Sequence, residues 1–191
     1  MEELNYFKEG WKHIISTDAL DHQLFILALA AVYTAKDWKP VLVLVTAFTI
    51  GHSVTLALSA FRMVNIDSGL VEFLIPCTIA ITAIANFFYK KKDQKTVRPN
   101  YFFALFFGLI HGLGFANFIR FTLADDQKIA WPLLQFNLGL EAGQIVFVTA
   151  ILLAAYLFVD RLKINRRWWS RFISAVVILL AIKMIIERFP F

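Results

Sequence analysis

Histidines and carboxylates occur inside segments of this chain that are otherwise apolar and long enough to cross a membrane. The polar members of these segments are His22, His52, His111, Asp21, Glu72, Asn137, Glu141 and Gln144. A charged side chain in hydrocarbon costs about 2.5–3.5 kcal/mol on insertion scales, so such groups normally face the interior of a helix bundle and serve a function. Imidazole and carboxylate ligands together suit a divalent transition metal. The residue types therefore predict an intramembrane metal site.

The composition is that of an integral membrane protein. Of the 191 residues, 59% are hydrophobic and 17% are charged, and the mean hydropathy is +0.65. At this length, one helix bundle is the natural unit. The net charge of +5 comes largely from basic residues in short loops, without a nucleic-acid-binding motif, so no nucleic-acid partner is expected. The single cysteine, Cys77, excludes an intrachain disulfide and argues against a thiolate site for Cu(I).

Six apolar stretches have roughly the length that a 30 Å hydrocarbon core requires of a helix. They cover residues 19–35, 40–61, 69–89, 101–124, 131–159 and 168–186. Backbone groups in lipid must hydrogen-bond within their own segment, so continuous apolar stretches predict helices. The sequence thus predicts an all-α polytopic membrane protein with six transmembrane helices in one bundle. This bundle would cover residues 19–186, between an extracytoplasmic segment 1–18 and an extracytoplasmic tail 187–191.

The basic residues predict the orientation of this bundle. The loops after the first, third and fifth stretches carry 12 of the 19 Lys and Arg residues, counted to a few residues inside the flanking helices. Because basic loops stay in the cytoplasm, these three loops are expected inside and both termini outside. A bacterial inner membrane is the expected location.

Depth follows from the orientation and from the helical rise of about 1.5 Å per residue. His52 then lies about 18 Å from the start of the second stretch, while His111 and Glu141 lie about 15 Å from the starts of theirs. Asn137, Glu141 and Gln144 are spaced i, i+4, i+7 and share one face of a helix. The sequence therefore predicts a polar funnel that opens outward and ends near His52 and His111.

The sequence predicts a role for each of these polar residues, and for three of them it leaves a structural alternative. The predicted metal ligands are Asp21, His22, His52, Glu72, His111 and Glu141, and the residues predicted to support them are His13, Ser53, Asn137 and Gln144. For Asp21 and Glu72 the alternative is a first-turn acid that the helix dipole favours. His13 precedes the first stretch, where a surface position is preferred to a role as ligand. Glu141, near mid-membrane, is the acid most strongly expected to bind metal or carry a proton.

Five blocks of sequence carry a resemblance to a known family. They are Gly10-Trp-Lys-His13 with Leu20-Asp-His-Gln-Leu-Phe25, Thr46-Ala-Phe-Thr-Ile-Gly-His-Ser-Val-Thr-Leu56, Val71-Glu72, Phe107-Gly-Leu-Ile-His-Gly-Leu-Gly-Phe-Ala116 and Phe136-Asn-Leu-Gly-Leu-Glu-Ala-Gly-Gln144. In this order they resemble the HupE/UreJ family of membrane proteins. The resemblance implies a metal permease-like protein, associated in that family with nickel supply to hydrogenase or urease. The longer spacing between His13 and Asp21, and a fourth-helix motif with one histidine, imply a variant branch.

Three classes of function are compatible with these residues. The first is a permease for a divalent transition metal (nickel, cobalt or zinc, with nickel or cobalt preferred). It would use no nucleotide, because the chain has no GxxxxGK[ST] loop. The second is electron transfer through a b-type haem on His52 and His111, which leaves Glu72 and Glu141 without a role. The third is a metal-dependent intramembrane hydrolase, although HExxH and GxSxG motifs are absent from the sequence. We therefore expect a membrane protein that is not an enzyme, with the metal ion and the bilayer as partners; a homo-oligomer is compatible with the sequence.

Overall fold

The computed structural model describes residues 5–64, 66–88, 97–115 and 130–190. Over these ranges the chain is helical and contains no strand, so the all-α prediction is confirmed. The α-helices of this part are α1 (Tyr6–Ile15), α2 (Leu20–Ala30), α3 (Trp38–Ala60), α4 (Ser68–Phe88), α5 (Val97–Gly114), α6 (Ala130–Ala155) and α7 (Arg166–Glu187). A π-helical turn, Tyr156–Arg161, extends α6.

Membrane-length helices are present, but the predicted number of six spans is not confirmed. Among the described residues, four segments are long and apolar enough to cross a membrane: Ala35–Ala60, Ser68–Phe88, Ala130–Arg161 and Arg166–Glu187. The 11 residues of α2 extend about 16 Å, roughly half of a hydrocarbon core. The apolar part of α5 is also short, Tyr101–Gly114. The described ranges do not include predicted span residues 89 and 116–124. They also do not include four of the basic residues that predict the orientation: Lys90, Lys91, Lys92 and Lys95.

Helix α1 is an element that the sequence analysis did not predict. The Asn5 side chain caps it by accepting the Lys8 N–H at 3.1 Å. It packs closely against α6 at two glycines. A Cβ on Gly10 would clash with the carbonyl oxygen of Phe136, and a Cβ on Gly139 would clash with the carbonyl oxygen of Phe7. The backbones approach so closely that only glycine fits at either position, as in small-residue interfaces between membrane helices.

Helices α3 and α5 meet by the same means. A Cβ on Gly108 would clash with the carbonyl oxygen of Phe48, and one on Gly112 with that of His52. Residue numbers increase together along both helices, so α3 and α5 run parallel, with Gly108 and Gly112 on a small-residue face of α5. This contact places His52 of α3 against the turn of α5 that carries His111.

Contacts at the two ends of helix α7 show which ends of the other helices lie beside it. Near one end, Arg166 Nε donates to the carbonyl oxygen of Val32 at 3.0 Å. At the other end, Arg188 Nη1 lies 3.5 Å from Asp21 Oδ2. Between them, Asn86 of α4 donates to the carbonyl oxygen of Ala28 at 2.8 Å. Helices α2 and α7 are therefore antiparallel, and the start of α2 shares one end of the molecule with the end of α7.

Candidate metal centre

Four histidines from four different helices converge at that end of the bundle. His22 of α2 is the central member. Its ring centroid lies 5.0 Å from that of His13 on α1, 5.5 Å from that of His52 on α3 and 5.3 Å from that of His111 on α5. The side chains of His52 and His111 are fully buried. The close α1–α6 and α3–α5 contacts thus bring together residues that are far apart in sequence.

Hydrogen bonds determine which ring nitrogen presents a lone pair. His22 Nδ1 lies 2.9 Å from Asp21 Oδ1, and His111 Nδ1 lies 2.8 Å from the carbonyl oxygen of Phe107. A carboxylate and a carbonyl only accept hydrogen bonds, so Nδ1 donates in both rings, and in the neutral form of each ring Nε2 carries the lone pair. Metal-binding histidines are usually oriented in this way, through a carboxylate or carbonyl partner on the second nitrogen.

The Nε2 atoms of the four histidines are buried and have no hydrogen-bond partner among the described residues. Leaving a buried polar atom unsatisfied costs about 1–3 kcal/mol, so four of them in one place call for a compensating interaction. Burial and the neighbouring His22 lower the pKa of His13 from 6.5 to about 3. Its imidazole is therefore neutral near pH 7 and keeps a lone pair available.

The distances between the ring centroids are close to those expected for imidazoles that bind one shared ion. Two imidazoles bound to one ion through Nε2, with bonds of about 2.1 Å, have ring centroids about 5 Å apart. The centroid distances from His22 lie between 5.0 and 5.5 Å. Within the described ranges, however, no group of three or more His, Cys, Asp or Glu side chains is already arranged to hold an ion. Binding would therefore require side-chain rotation within the cluster.

A cavity of about 610 Å³ gives access to the histidines. Its walls come from α1, α2, α4, α5 and the end of α7, and its lining residues are Glu9, Lys12, His13, Ser16, Asp21, His22, Glu72, Ile75, His111, Gly114, Phe115 and Arg188. The lining combines three carboxylates, which attract cations, with two basic side chains. Arg188 pairs with Asp21, so this carboxylate is held between a guanidinium and the His22 imidazole.

The structure corrects the preferred position of His13. A surface histidine was expected, whereas its Nε2 is buried and its ring centroid lies 4.3 Å from that of Phe115. The reason is α1, which packs against α6 through Gly10 and Gly139 and carries His13 into the cluster. Gly10, three residues before His13, was the sequence feature that could have indicated this close helix contact.

The predicted acids are divided between two places. Glu72 is exposed on the cavity wall, near Asp21 and His22. Glu141 does not line the cavity and instead accepts a hydrogen bond from Thr46 Oγ1 at 2.9 Å. Proximity to the histidines therefore supports a role at the metal for Asp21 most directly.

The predicted supporting residues on α3 and α6 also lie away from the cavity. Gln144 Oε1 contacts Thr49 Oγ1 at 2.7 Å. Ser53 donates to the carbonyl oxygen of Thr49 at 2.7 Å, and Asn137 donates to that of Leu133 at 3.0 Å. Because the bonds of Ser53 and Asn137 stay within their own helices, neither residue orients a histidine through them.

The chain was compared with known proteins at three levels. A family model described as HupE / UreJ protein matches residues 1–188. No curated protein and no solved structure matches the chain. The matched family consists of membrane proteins associated with nickel or cobalt transport or with accessory functions, and it is not a known enzyme family. The predicted resemblance is thereby confirmed over essentially the whole chain.

Proposed function

Because this chain belongs to the HupE/UreJ family, we propose that it is a membrane permease for a divalent transition metal, nickel or cobalt, which binds at the four-histidine cluster. The observation that supports this most strongly is the set of unpartnered, buried Nε2 atoms gathered around His22. Imidazole nitrogens are good ligands for Ni²⁺ and Co²⁺. The metal is the transported substrate in this proposal.

The cavity supplies the route to the cluster. Glu9, Asp21 and Glu72 on its walls attract a hydrated cation, because a cleft lined by acids concentrates positive ions. At the base of the cavity, His22 and His111 replace water ligands with Nε2 lone pairs. Asp21 offsets part of the charge of the ion and holds the His22 ring in the correct tautomer. These residues bind and orient the ion without any bond to the protein being made or broken.

The placement of the helices supports an orientation as well. Helices α2 and α4 begin near the cavity, at Asp21 and Glu72, whereas α3 and α5 carry His52 and His111 toward their ends. Directions therefore alternate from α2 to α5, and α2 and α5 can complete six crossings together with the four long helices. The cavity lies at the end opposite Lys36, Arg161 and Arg167. By the positive-inside rule, we assign this end and both termini to the extracytoplasmic side of an inner membrane.

The haem alternative receives no support from this geometry. The His22 ring lies 5.5 Å from the ring of His52 and 5.3 Å from the ring of His111. A porphyrin held between His52 and His111 as axial ligands would need the space that His22 occupies. This arrangement of rings therefore favours a metal-ion site over a haem.

Calorimetric titration of the purified protein in detergent with Ni²⁺, Co²⁺, Zn²⁺ and Mn²⁺ tests the proposal. We expect saturable binding of Ni²⁺ or Co²⁺, weakened at least about tenfold by His22→Ala and by His52→Ala, since even residues behind the ligands contribute that much. Lys183→Ala is the matched control, because Lys183 is exposed and pairs with Glu187 on α7. Absence of binding, or equal affinities in all variants, would contradict the proposal.

A further inference from the structure

Polar side chains of α3 and α6 meet at an interface separate from the histidine cavity. Thr46 Oγ1 donates to Glu141 Oε1 at 2.9 Å, and Thr49 Oγ1 lies 2.7 Å from Gln144 Oε1. Thr46 and Thr49 are three residues apart on α3, and Glu141 and Gln144 are three residues apart on α6, so about one turn of each helix carries both pairs. The two pairs therefore belong to one polar interface. None of these four residues lines the cavity over His22.

The hydrogen bonds of this interface leave oxygen atoms available. Thr49 Oγ1 also lies 3.1 Å from the carbonyl oxygen of Val45, and a hydroxyl carries one proton, so it can donate to only one of its two neighbours. When the Thr49 hydroxyl donates to the carbonyl oxygen of Val45, it can only accept from Gln144. The Gln144 amide is then rotated by half a turn, so that its NH₂ donates to Thr49 and its oxygen occupies the position of Nε2. Gln144 is fully buried, and that position has no partner among the described residues.

Asn137 adds a further oxygen on the same face of α6. Its Nδ2 donates to the carbonyl oxygen of Leu133 at 3.0 Å, and its Oδ1 is buried without a partner in the described part of the chain. Asn137, Glu141 and Gln144 are spaced i, i+4, i+7, so they form one stripe. With the Gln144 amide in the orientation in which it donates to Thr49, the available ligands on this stripe are all oxygen atoms.

The charge of this interface is also unbalanced. Glu141 lies in a membrane-length helix, and no Lys, Arg or His of the described ranges forms an ion pair with it. A carboxylate without a counter-charge is costly in a low-dielectric environment. One positive charge would balance it. Oxygen ligands without nitrogen or sulfur favour a hard cation over nickel or cobalt.

We propose that Glu141, Gln144, Thr46 and Asn137 bind a hard monovalent cation, with Na⁺ as the probe, at a site distinct from the four-histidine cluster. The carboxylate supplies the charge, and the amide and hydroxyl oxygens complete the coordination. Within the proposed permease function, on which this role depends, the bound cation couples metal movement to an ion gradient. The site itself does not depend on that function.

The test compares melting temperatures of the purified protein, without transition metal, in NaCl and in choline chloride at equal ionic strength. At about ten times the dissociation constant, Na⁺ should raise the melting temperature of the unmodified protein by about 3 °C, because ligand binding to the folded state stabilises it. Glu141→Gln should abolish the shift. His52→Ala is the matched control, and it should lose metal binding but keep the Na⁺ shift. Binding of ²²Na⁺ to the same proteins gives the second readout.

The possible outcomes separate this site from the proposed function. An equal melting temperature in both salts, or an unchanged Na⁺ shift in Glu141→Gln, would overturn the cation site. Loss of Ni²⁺ binding in Glu141→Gln, with no effect of Na⁺, would assign Glu141 to the metal centre and also overturn it. A Na⁺ shift without any metal binding would support the cation site and reject the permease. If Glu141→Gln does not fold, Thr46→Val replaces it and should weaken the shift.

Discussion

At the scale of single residues, the metal centre depends on which imidazole nitrogen is free. Asp21 and the Phe107 carbonyl accept hydrogen bonds from Nδ1 of His22 and His111, which leaves Nε2 of each ring for the proposed ion. A backbone carbonyl cannot be changed by substitution, whereas the carboxylate of Asp21 can. Asp21 is therefore the residue at which the orienting interaction can be tested separately from the ligands.

Asp21→Asn tests the orienting interaction. The amide has nearly the same size, but it lacks the charge that holds the His22 Nδ1–H. We expect the affinity for Ni²⁺ to fall about 10–100-fold, as is typical when the partner of a ligating histidine is changed. Calorimetric titration measures this, with Glu72→Gln on the exposed cavity wall as the control, expected to change the affinity less than about threefold. Equal effects of the two substitutions would mean that Asp21 acts only through its charge.

Acid stability tests the burial of His13. Its pKa is lowered to about 3 in the folded protein, while a histidine in the unfolded chain titrates near 6.5. Between these values the unfolded chain binds more protons, so stability should decrease as the pH falls from about 6.5 toward 3. His13→Gln should reduce the loss of melting temperature between pH 7.5 and pH 5 in the metal-free protein. An identical loss in the variant would show that His13 is accessible to water.

At the scale of helices, glycine contacts determine where the histidines lie. Two parallel pairs, α1 with α6 and α3 with α5, approach closely enough that backbone atoms touch. The motif around Gly108 and Gly112 was recognisable in the sequence because it lies inside an apolar stretch. The motif around Gly10 was missed because α1 carries too many charged residues to be identified by hydropathy. For that reason His13 was assigned to the surface.

Gly108→Leu tests the contact between α3 and α5. The added side chain would clash with the backbone of Phe48, and overpacking of this kind costs about 1–3 kcal/mol. The melting temperature should decrease, and metal affinity should fall with it because His52 and His111 are separated. Gly69→Ala, at an exposed helix start where only the Asp67 side chain is near, should change stability by less than about 0.5 kcal/mol. A stable, metal-binding Gly108→Leu protein would contradict the close contact.

At the scale of the whole molecule, the sequence predicts how far each polar residue lies along its helix, but not which way it points around the bundle. Helical rise places His52, His111 and Glu141 at comparable depths, and on that basis they are predicted to share one site. In the structure, the Glu141 side chain contacts Thr46 on α3 and does not line the cavity. The azimuth of a helix depends on packing against several neighbours, and a single sequence does not contain this information. The six spans stay a prediction, because the helix of the first stretch, α2, is shorter than the run of apolar residues around it.

Labelling of single cysteines tests the assigned orientation. In a Cys77→Ser background, Glu9→Cys gives a partly exposed position at the cavity, and Lys36→Cys gives an exposed position at the opposite end. A membrane-impermeant maleimide added to intact cells should label Glu9→Cys, and it should label Lys36→Cys only after the membrane is opened, because basic loops stay in the cytoplasm. The reverse pattern would place the cavity on the cytoplasmic side and would make the protein an exporter by this route.

The proposed permease requires that the imidazoles of the His22 cluster hold the metal. X-ray absorption spectroscopy of the Ni²⁺-loaded protein measures this, because imidazole rings give a distinct multiple-scattering pattern. We expect nitrogen ligands at about 2.1 Å with the scattering of several imidazoles, reduced by one ring in His52→Ala. A first shell of oxygen without imidazole scattering, or an identical spectrum in His52→Ala, would contradict it.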